Sequence, residues 1–115
     1  MTRNAMYKGT QEEFLDFIIQ LKAENTELEI KFCVDNTEIA DDCAWTAHKI
    51  NYVKVSPFWQ LNAEYIETDK DAILECMAYE ILKDFEFSEE RIKALAEMRY
   101  EEEIKYAICV FTCAA

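Results

Sequence analysis

Apolar residues recur every three to four positions in three stretches of the chain, and this spacing predicts three amphipathic helices. The first helix follows Thr10, which together with Glu13 has the pattern of an N-terminal capping box. Thr68 and Ser88 are the predicted N-caps of the other two helices, because their hydroxyl groups can accept hydrogen bonds from the first turn. The predicted helices cover residues 11–24, 69–84 and 88–100.

Four other stretches of the chain predict β-strands. The first alternates strictly between apolar and polar residues, which predicts one face in the core and one face in water. Its predicted core face consists of Leu28, Ile30, Phe32 and Val34. The pair Ser56 and Pro57 predicts a turn between the second strand and the third. The predicted strands cover residues 27–34, 44–55, 58–67 and 104–112.

The order of these elements, α-β-β-β-α-α-β, predicts a single α+β domain over residues 1–115. The first three strands are expected to form an antiparallel meander within a mainly antiparallel four-stranded sheet, with the helices on one face. The last strand is apolar on both faces, which predicts a central, doubly covered position beside the first strand.

The charge of the chain narrows its possible partners. It has 24 acidic residues against 12 basic ones, which gives a net charge of −12. Repulsion by phosphate groups therefore argues against direct binding of nucleic acid, and also against binding to anionic membranes. A protein with a basic surface is the expected partner, since it would be steered toward the acidic one.

The cysteines and the apolar runs predict a soluble protein of the cytoplasm, or of the host cytoplasm if a phage encodes it. The five cysteines are odd in number and form no Cys-x-x-Cys pair, which favours reduced, packed thiols over disulfides or a zinc ribbon. No apolar run approaches the roughly 20 residues that span a bilayer. Residues 1–10 have no apolar signal region.

No motif in the sequence predicts catalysis, a cofactor or a metal ion. His48, the only histidine, could act as a general base, but no pattern places a nucleophile near it. The acidic loop at residues 35–42 could hold a hard cation, yet it lacks the glycine and the terminal glutamate spacing of a calcium loop. We therefore expect a protein that is not an enzyme.

The acidic residues cluster in the predicted elements rather than spreading evenly. Residues 26–43 carry six acids and one base, and residues 88–103 carry six acids and three bases. Three consecutive glutamates at the expected end of the third helix oppose the helix dipole there, unless the helix ends before Tyr100. The predicted partner-binding residues are Asp35, Glu38, Asp41, Asp42, Glu101, Glu102 and Glu103.

Aromatic residues are concentrated in the nearly neutral stretch of residues 44–67. Trp59 and Tyr65 lie on its regular apolar face, which predicts that they belong to the core. Three others are candidate interface anchors: Trp45, Tyr52 and Phe58. The same aromatic hairpin could instead line a small-molecule pocket in an oligomer, which is the alternative function.

In size, charge and expected compartment the chain resembles small acidic inhibitors as a class, such as anti-CRISPR and anti-restriction proteins and bacterial immunity proteins. The resemblance involves no motif and therefore assigns no residue roles. It implies a stoichiometric inhibitor or adaptor that imitates a nucleic-acid backbone and occupies a basic groove of a nucleic-acid-handling enzyme. Complexes of 1:1 or 2:2 are expected, so a homodimer is one expected form.

Overall fold

The computed structural model describes residues 3–34, 47–61, 65–84 and 87–114. It confirms the α+β class, with the elements in roughly the expected order. The elements are β1 (Ala5–Met6), α1 (Gln11–Glu24), β2 (Glu29–Val34), β3 (His48–Gln60), β4 (Ile66–Glu67), α2 (Lys70–Asp84), α3 (Glu89–Glu103) and β5 (Lys105–Ala114). Within the described residues, no helix is both long and apolar enough to cross a membrane.

The chain divides into two compact units, residues 1–56 with 107–115 and residues 57–106. The strands of the first unit lie in the order β1-β3-β5-β2. β1 pairs with β3 in antiparallel orientation, whereas β2 pairs with β5 in parallel orientation. The sheet is therefore mixed and not purely antiparallel, and the predicted meander is wrong because β2 lies beside β5 and not beside β3. The central position of the last strand, beside the first predicted strand, is confirmed.

Helix α1 supplies the core of the first unit. It begins and ends where the sequence predicts, and the capping box between Thr10 and Glu13 is present. Its buried face packs against side chains from β1, β3 and β5. The buried residues of this core are Met6, Phe14, Phe17, Ile18, Leu21, Val53, Ile108 and Val110.

The prediction for the apolar face of β2 is wrong. Its residues alternate as expected, but Ile30, Phe32 and Val34 are 37%, 70% and 42% exposed. The reason is position in the sheet: β2 is the last strand in the order, and the core under α1 takes no buried residue from it. Of the predicted face, only Leu28, before the strand begins, packs against that core.

The predicted turn at Ser56 and Pro57 is also wrong, because β3 continues through both residues. Proline has a φ angle that suits extended chain, and it is tolerated in strands where its missing N–H is not needed for the ladder. Pro57 lies between the part of β3 that pairs with β1 and the part that pairs with β4. An extended strand therefore replaces the expected hairpin.

The second unit contains the end of β3, β4, and the helices α2 and α3. β4 pairs with β3 in antiparallel orientation at Trp59 and Gln60. A separate apolar cluster holds the two helices together, with Ile73 and Met77 from α2 and Ala96 and Tyr100 from α3. Trp59 packs against this cluster, as expected for a core residue, whereas Tyr65 is 45% exposed and its prediction as a core residue is wrong.

Candidate partner-binding site

Helix α2 is positioned by a cap and by two buried side chains. The cap differs from the one predicted, because Asp69 Oδ2 accepts a hydrogen bond from the backbone N–H of Ala72 at 3.1 Å. Ile73 and Met77 are fully buried and hold one side of the helix against the core. The neighbouring apolar row at Leu74, Ala78 and Leu82 is less covered, and Leu82 is 55% exposed.

Helix α3 begins at the predicted cap, where Ser88 Oγ accepts from the backbone N–H of Arg91 at 3.3 Å. Its buried residues are Ile92, Ala96 and Tyr100, each four positions from the next. Glu89 and Glu97 flank this row on the exposed side of the helix. The sequence thus places apolar and acidic residues next to each other along one side of α3.

An open cleft of about 690 Å³ lies between the exposed sides of α2 and α3. Its floor is apolar and comprises Leu74, Ala78, Leu82, Phe87, Ile92 and Ala96. Its charged rim comprises Asp71, Glu75, Glu89, Glu97 and Lys93. Four carboxylates against one ammonium group give the rim a net negative charge on both helices. We call this feature the α2–α3 cleft.

The three predicted glutamates at the end of α3 are helical, since the helix continues through Glu103 and not only to Tyr100. The last turn contains no basic residue to complement the helix dipole. Glu101 and Glu102 are exposed, and neither forms an ion pair with another described residue. Glu101 follows Glu97 by four positions, so it extends the acidic rim of the cleft by one turn.

Glu103 differs from its two neighbours because it is already paired. Arg99 donates hydrogen bonds to Glu80 and to Glu103, and its guanidinium lies 5.0 Å from the centre of the Trp59 ring. The hydrogen bond to Glu80, followed by that to Glu103, raises the pKa of Arg99 above its usual range. This network joins α2, α3 and β3, so Glu103 has a structural contact and contributes less to the open negative surface.

The remaining predicted acidic residues, Asp35, Glu38, Asp41 and Asp42, lie outside the described residues, and so does Trp45. The prediction of Phe58 as an interface anchor is wrong, because its side chain is buried and a partner cannot reach it. Tyr52 is partly covered and stacks on Phe111 with ring centres 4.4 Å apart. Burial raises the pKa of Tyr52. The hairpin predicted with a turn at Ser56 and Pro57 does not form, because β3 continues through both residues. The small-ligand alternative stays a prediction.

The side-chain contact of His48 among the described residues is the hydroxyl group of a threonine on β5. Its Nδ1 is 3.4 Å from Thr112 Oγ1, and the same hydroxyl donates to the backbone carbonyl of Cys33 at 3.2 Å. These contacts link β2, β3 and β5. Among the described residues, no three histidine, cysteine or acidic side chains come together as a set of metal ligands.

The sequence did not indicate a thiol pair that the fold creates between β2 and β5. Cys109 is fully buried, and Cys33 Sγ donates to the backbone carbonyl of Lys31 at 3.8 Å. The interaction between the two thiols lowers the pKa of Cys33 and raises that of Cys109. The register could not be read from the spacing of the cysteines, because residues 33 and 109 are distant in sequence and lie on parallel strands.

A smaller cleft lies along α1 in the first unit, with a volume of about 480 Å³. Its lining is more polar, and two of its side chains already have contacts within the unit. Glu13 belongs to the capping box, and the Arg3 guanidinium lies 5.3 Å from the centre of the Phe17 ring. The α2–α3 cleft is the better candidate because it combines an apolar floor with a rim that has more acidic than basic residues.

Comparisons of the chain with protein-family models, with curated proteins and with solved structures found no match.

Proposed function

We propose that this protein is a small interaction module that binds a basic surface of a nucleic-acid-handling enzyme and acts as its stoichiometric inhibitor or adaptor. The observation that carries the proposal is the α2–α3 cleft, with its apolar floor and acidic rim. The contact surface comprises this cleft and the adjoining Glu101 and Glu102.

The two parts of the cleft have different physical roles. Burial of apolar side chains such as Leu82 provides affinity, at roughly 25 cal/mol per Å² of apolar surface removed from water before the costs of association. The carboxylates at Glu75, Glu89 and Glu97 provide steering and exclude acidic competitors, because they interact favourably only with a cationic partner. A cleft with both features fits an amphipathic segment rich in lysine and arginine.

Nucleic-acid-handling enzymes carry such basic surfaces where they contact phosphates. An acidic module that occupies this surface competes with the nucleic acid for the same lysines and arginines. The net charge of −12 supports this role in a second way, since it prevents the module from binding the nucleic acid itself.

The first experiment uses a defined probe for the cleft, a helical peptide of about five turns built from leucine and lysine. Fluorescence anisotropy should show saturable 1:1 binding to the protein, and no binding of an acidic peptide with the same apolar pattern. The double substitution Glu97→Lys and Glu101→Lys should lower the affinity for the basic peptide by about tenfold or more. The control Glu24→Lys with Glu27→Lys makes the same change in net charge outside the cleft and should have a much smaller effect.

The second experiment concerns the partner. Affinity capture from the native source at low salt should recover a basic enzyme, and the Glu97→Lys, Glu101→Lys variant should not recover it. An equimolar amount of the protein should then displace a labelled oligonucleotide from that enzyme. If the protein and the oligonucleotide bound the enzyme together without competition, imitation of nucleic acid would be wrong even though the cleft binds the enzyme.

A further inference from the structure

Strand β2 forms one edge of the sheet in the first unit. It follows β5 at the end of the order β1-β3-β5-β2, and no other described strand lies beyond it. An edge strand presents backbone N–H and C=O groups to the outside, and proteins commonly protect such edges with proline, a bulge or charged side chains. The sequence of β2 contains no proline, and its exposed apolar face contains no charge.

The exposed apolar face of β2 lies on the same side of the sheet as α1. Ile30 is the register partner of Ile108, and Phe32 is the partner of Val110. Paired residues on neighbouring strands share a face, and both partners on β5 are buried in the core under α1. Ile30 and Phe32 therefore continue the core surface beyond the area that α1 covers.

The flank of α1 adds to this apolar surface. Leu15 and Ile19 are 51% and 68% exposed and lie at helical spacing with Lys22. Lys22 Nζ donates to the backbone carbonyl of Leu28, just before β2 begins. The row of Leu15, Ile19 and Lys22 thus lies on the side of α1 that is nearest to β2, and the apolar surface extends from the helix to the edge strand.

We propose that a second copy of this chain pairs with the β2 edge, so that two sheets join across a two-fold axis. Antiparallel pairing centred on Phe32 places Phe32 opposite Phe32 of the partner subunit, and Ile30 opposite Val34 of the partner subunit. A two-fold axis perpendicular to the sheet keeps the apolar faces of both copies on one side, together with both α1 helices. The pattern of apolar residues is symmetric about Phe32, as an isologous contact requires.

The distribution of charge favours a second copy over a basic partner at this edge. Glu29 and Lys31 form an ion pair at 3.5 Å, so the six residues of β2 have no net charge although the whole chain has −12. A basic partner gains little from β2 itself, while a second copy meets no net charge on the facing strand. Pairing centred on Phe32 uses residues 30–34, a five-residue ladder roughly 17 Å long, and Leu15 and Ile19 add to the contact.

The test is the mass of the full-length protein in solution, measured by sedimentation and light scattering over a range of concentrations. The wild type should form a dimer, and added salt should strengthen it, because salt screens the repulsion between two chains of −12. Phe32→Lys should convert the dimer to a folded monomer. The control Met98→Lys changes a side chain of α3 that is 59% exposed and should remain dimeric.

Two results would overturn the proposal: a wild type that stays monomeric at high concentration and high salt, or a Phe32→Lys variant that remains dimeric. If circular dichroism shows that Phe32→Lys does not fold, Val34→Lys provides the same test at the end of the strand. The dimer is independent of the proposed partner site, because Phe32→Lys should leave binding of the basic peptide to the α2–α3 cleft unchanged.

Discussion

The edge of β2 and the α2–α3 cleft both expose apolar side chains, but they differ in the charge around them. Phe32 on β2 is 70% exposed beside an internally paired Glu29 and Lys31, whereas Leu82 in the cleft is 55% exposed beside a rim of four carboxylates and one lysine. A contiguous exposed apolar patch marks a surface that is used in binding. The charge around the apolar patch indicates which partner it fits. The neutral β2 strand fits another copy of this acidic chain, and the acidic cleft fits a basic protein.

The largest expected effect is a difference in stability between substitutions on the β2 edge and in the core beside it. Ile108→Ala and Ile30→Ala are the same substitution at two register partners, one fully buried and one 37% exposed. Chemical denaturation at a low protein concentration should show that Ile108→Ala lowers the free energy of unfolding by about 2–5 kcal/mol. Ile30→Ala should cost less than about 1 kcal/mol. Equal losses would mean that β2 has a buried face after all.

Salt provides the next test, because it should act in opposite directions on the two surfaces. Between about 50 mM and 500 mM NaCl, association of the basic peptide with the α2–α3 cleft should slow by roughly 10- to 100-fold, since screening removes the steering. Over the same range the dimer at β2 should become tighter. Stopped-flow fluorescence and sedimentation measure the two effects, and the comparison fails if both respond to salt with the same sign.

The sequence predicts the local elements better than their positions in the sheet. Helix α1 has the predicted bounds because its cap, apolar spacing and C-terminal Asn25 depend on nearby residues. The exposure of Phe32 could not be predicted in this way. Alternation shows which residues share a face, but the strand's place at the sheet edge depends on pairing with β5, some 80 positions later.

The candidate site was also predictable only in part: its local charge is visible in the sequence, but its shape is not. The acidic character of α3 is visible in the sequence, as is the conflict of Glu101 with the helix dipole. The cleft itself is not visible, because its floor combines Leu74 and Leu82 of α2 with Ile92 of α3, and the apolar spacing of one helix does not show which residues the other helix leaves uncovered. How far two helices cover each other is set by packing, which the pattern of one helix does not contain.

A smaller effect is expected at the start of α1, where a carboxylate is placed favourably. Hydrogen bonds to the backbone and hydroxyl of Thr10 lower the pKa of Glu13 below its ordinary value of 4.5. This contribution to stability is therefore present above pH 4.5 and is lost as the pH falls through the lower pKa of the folded state. Thr10→Ala should cost about 1 kcal/mol at neutral pH. Thr10→Ala removes the bond from the Glu13 N–H to the Thr10 hydroxyl, so its cost should change little with pH. Glu13→Ala removes the carboxylate that accepts from the Thr10 N–H, so thermal unfolding should show that its cost shrinks below pH 4.5. A cost of Glu13→Ala that stayed constant with pH would mean that the capping box does not form.

The smallest expected effect concerns the C-terminal end of α3, at the border of the cleft, where a carboxylate is placed unfavourably. Glu101 lies in the last turn of α3, where a negative charge opposes the dipole and no basic residue offsets it. Glu101→Gln should therefore stabilise the protein by a few tenths of a kcal/mol, while it weakens binding of the basic peptide. Glu103→Gln is the contrasting variant: it removes an ion pair with Arg99 and should bring no such gain. Denaturation and anisotropy on the same two proteins measure both quantities. A gain in stability with unchanged peptide affinity would show that the acidic end of α3 lies outside the contact surface and would restrict that surface to the cleft.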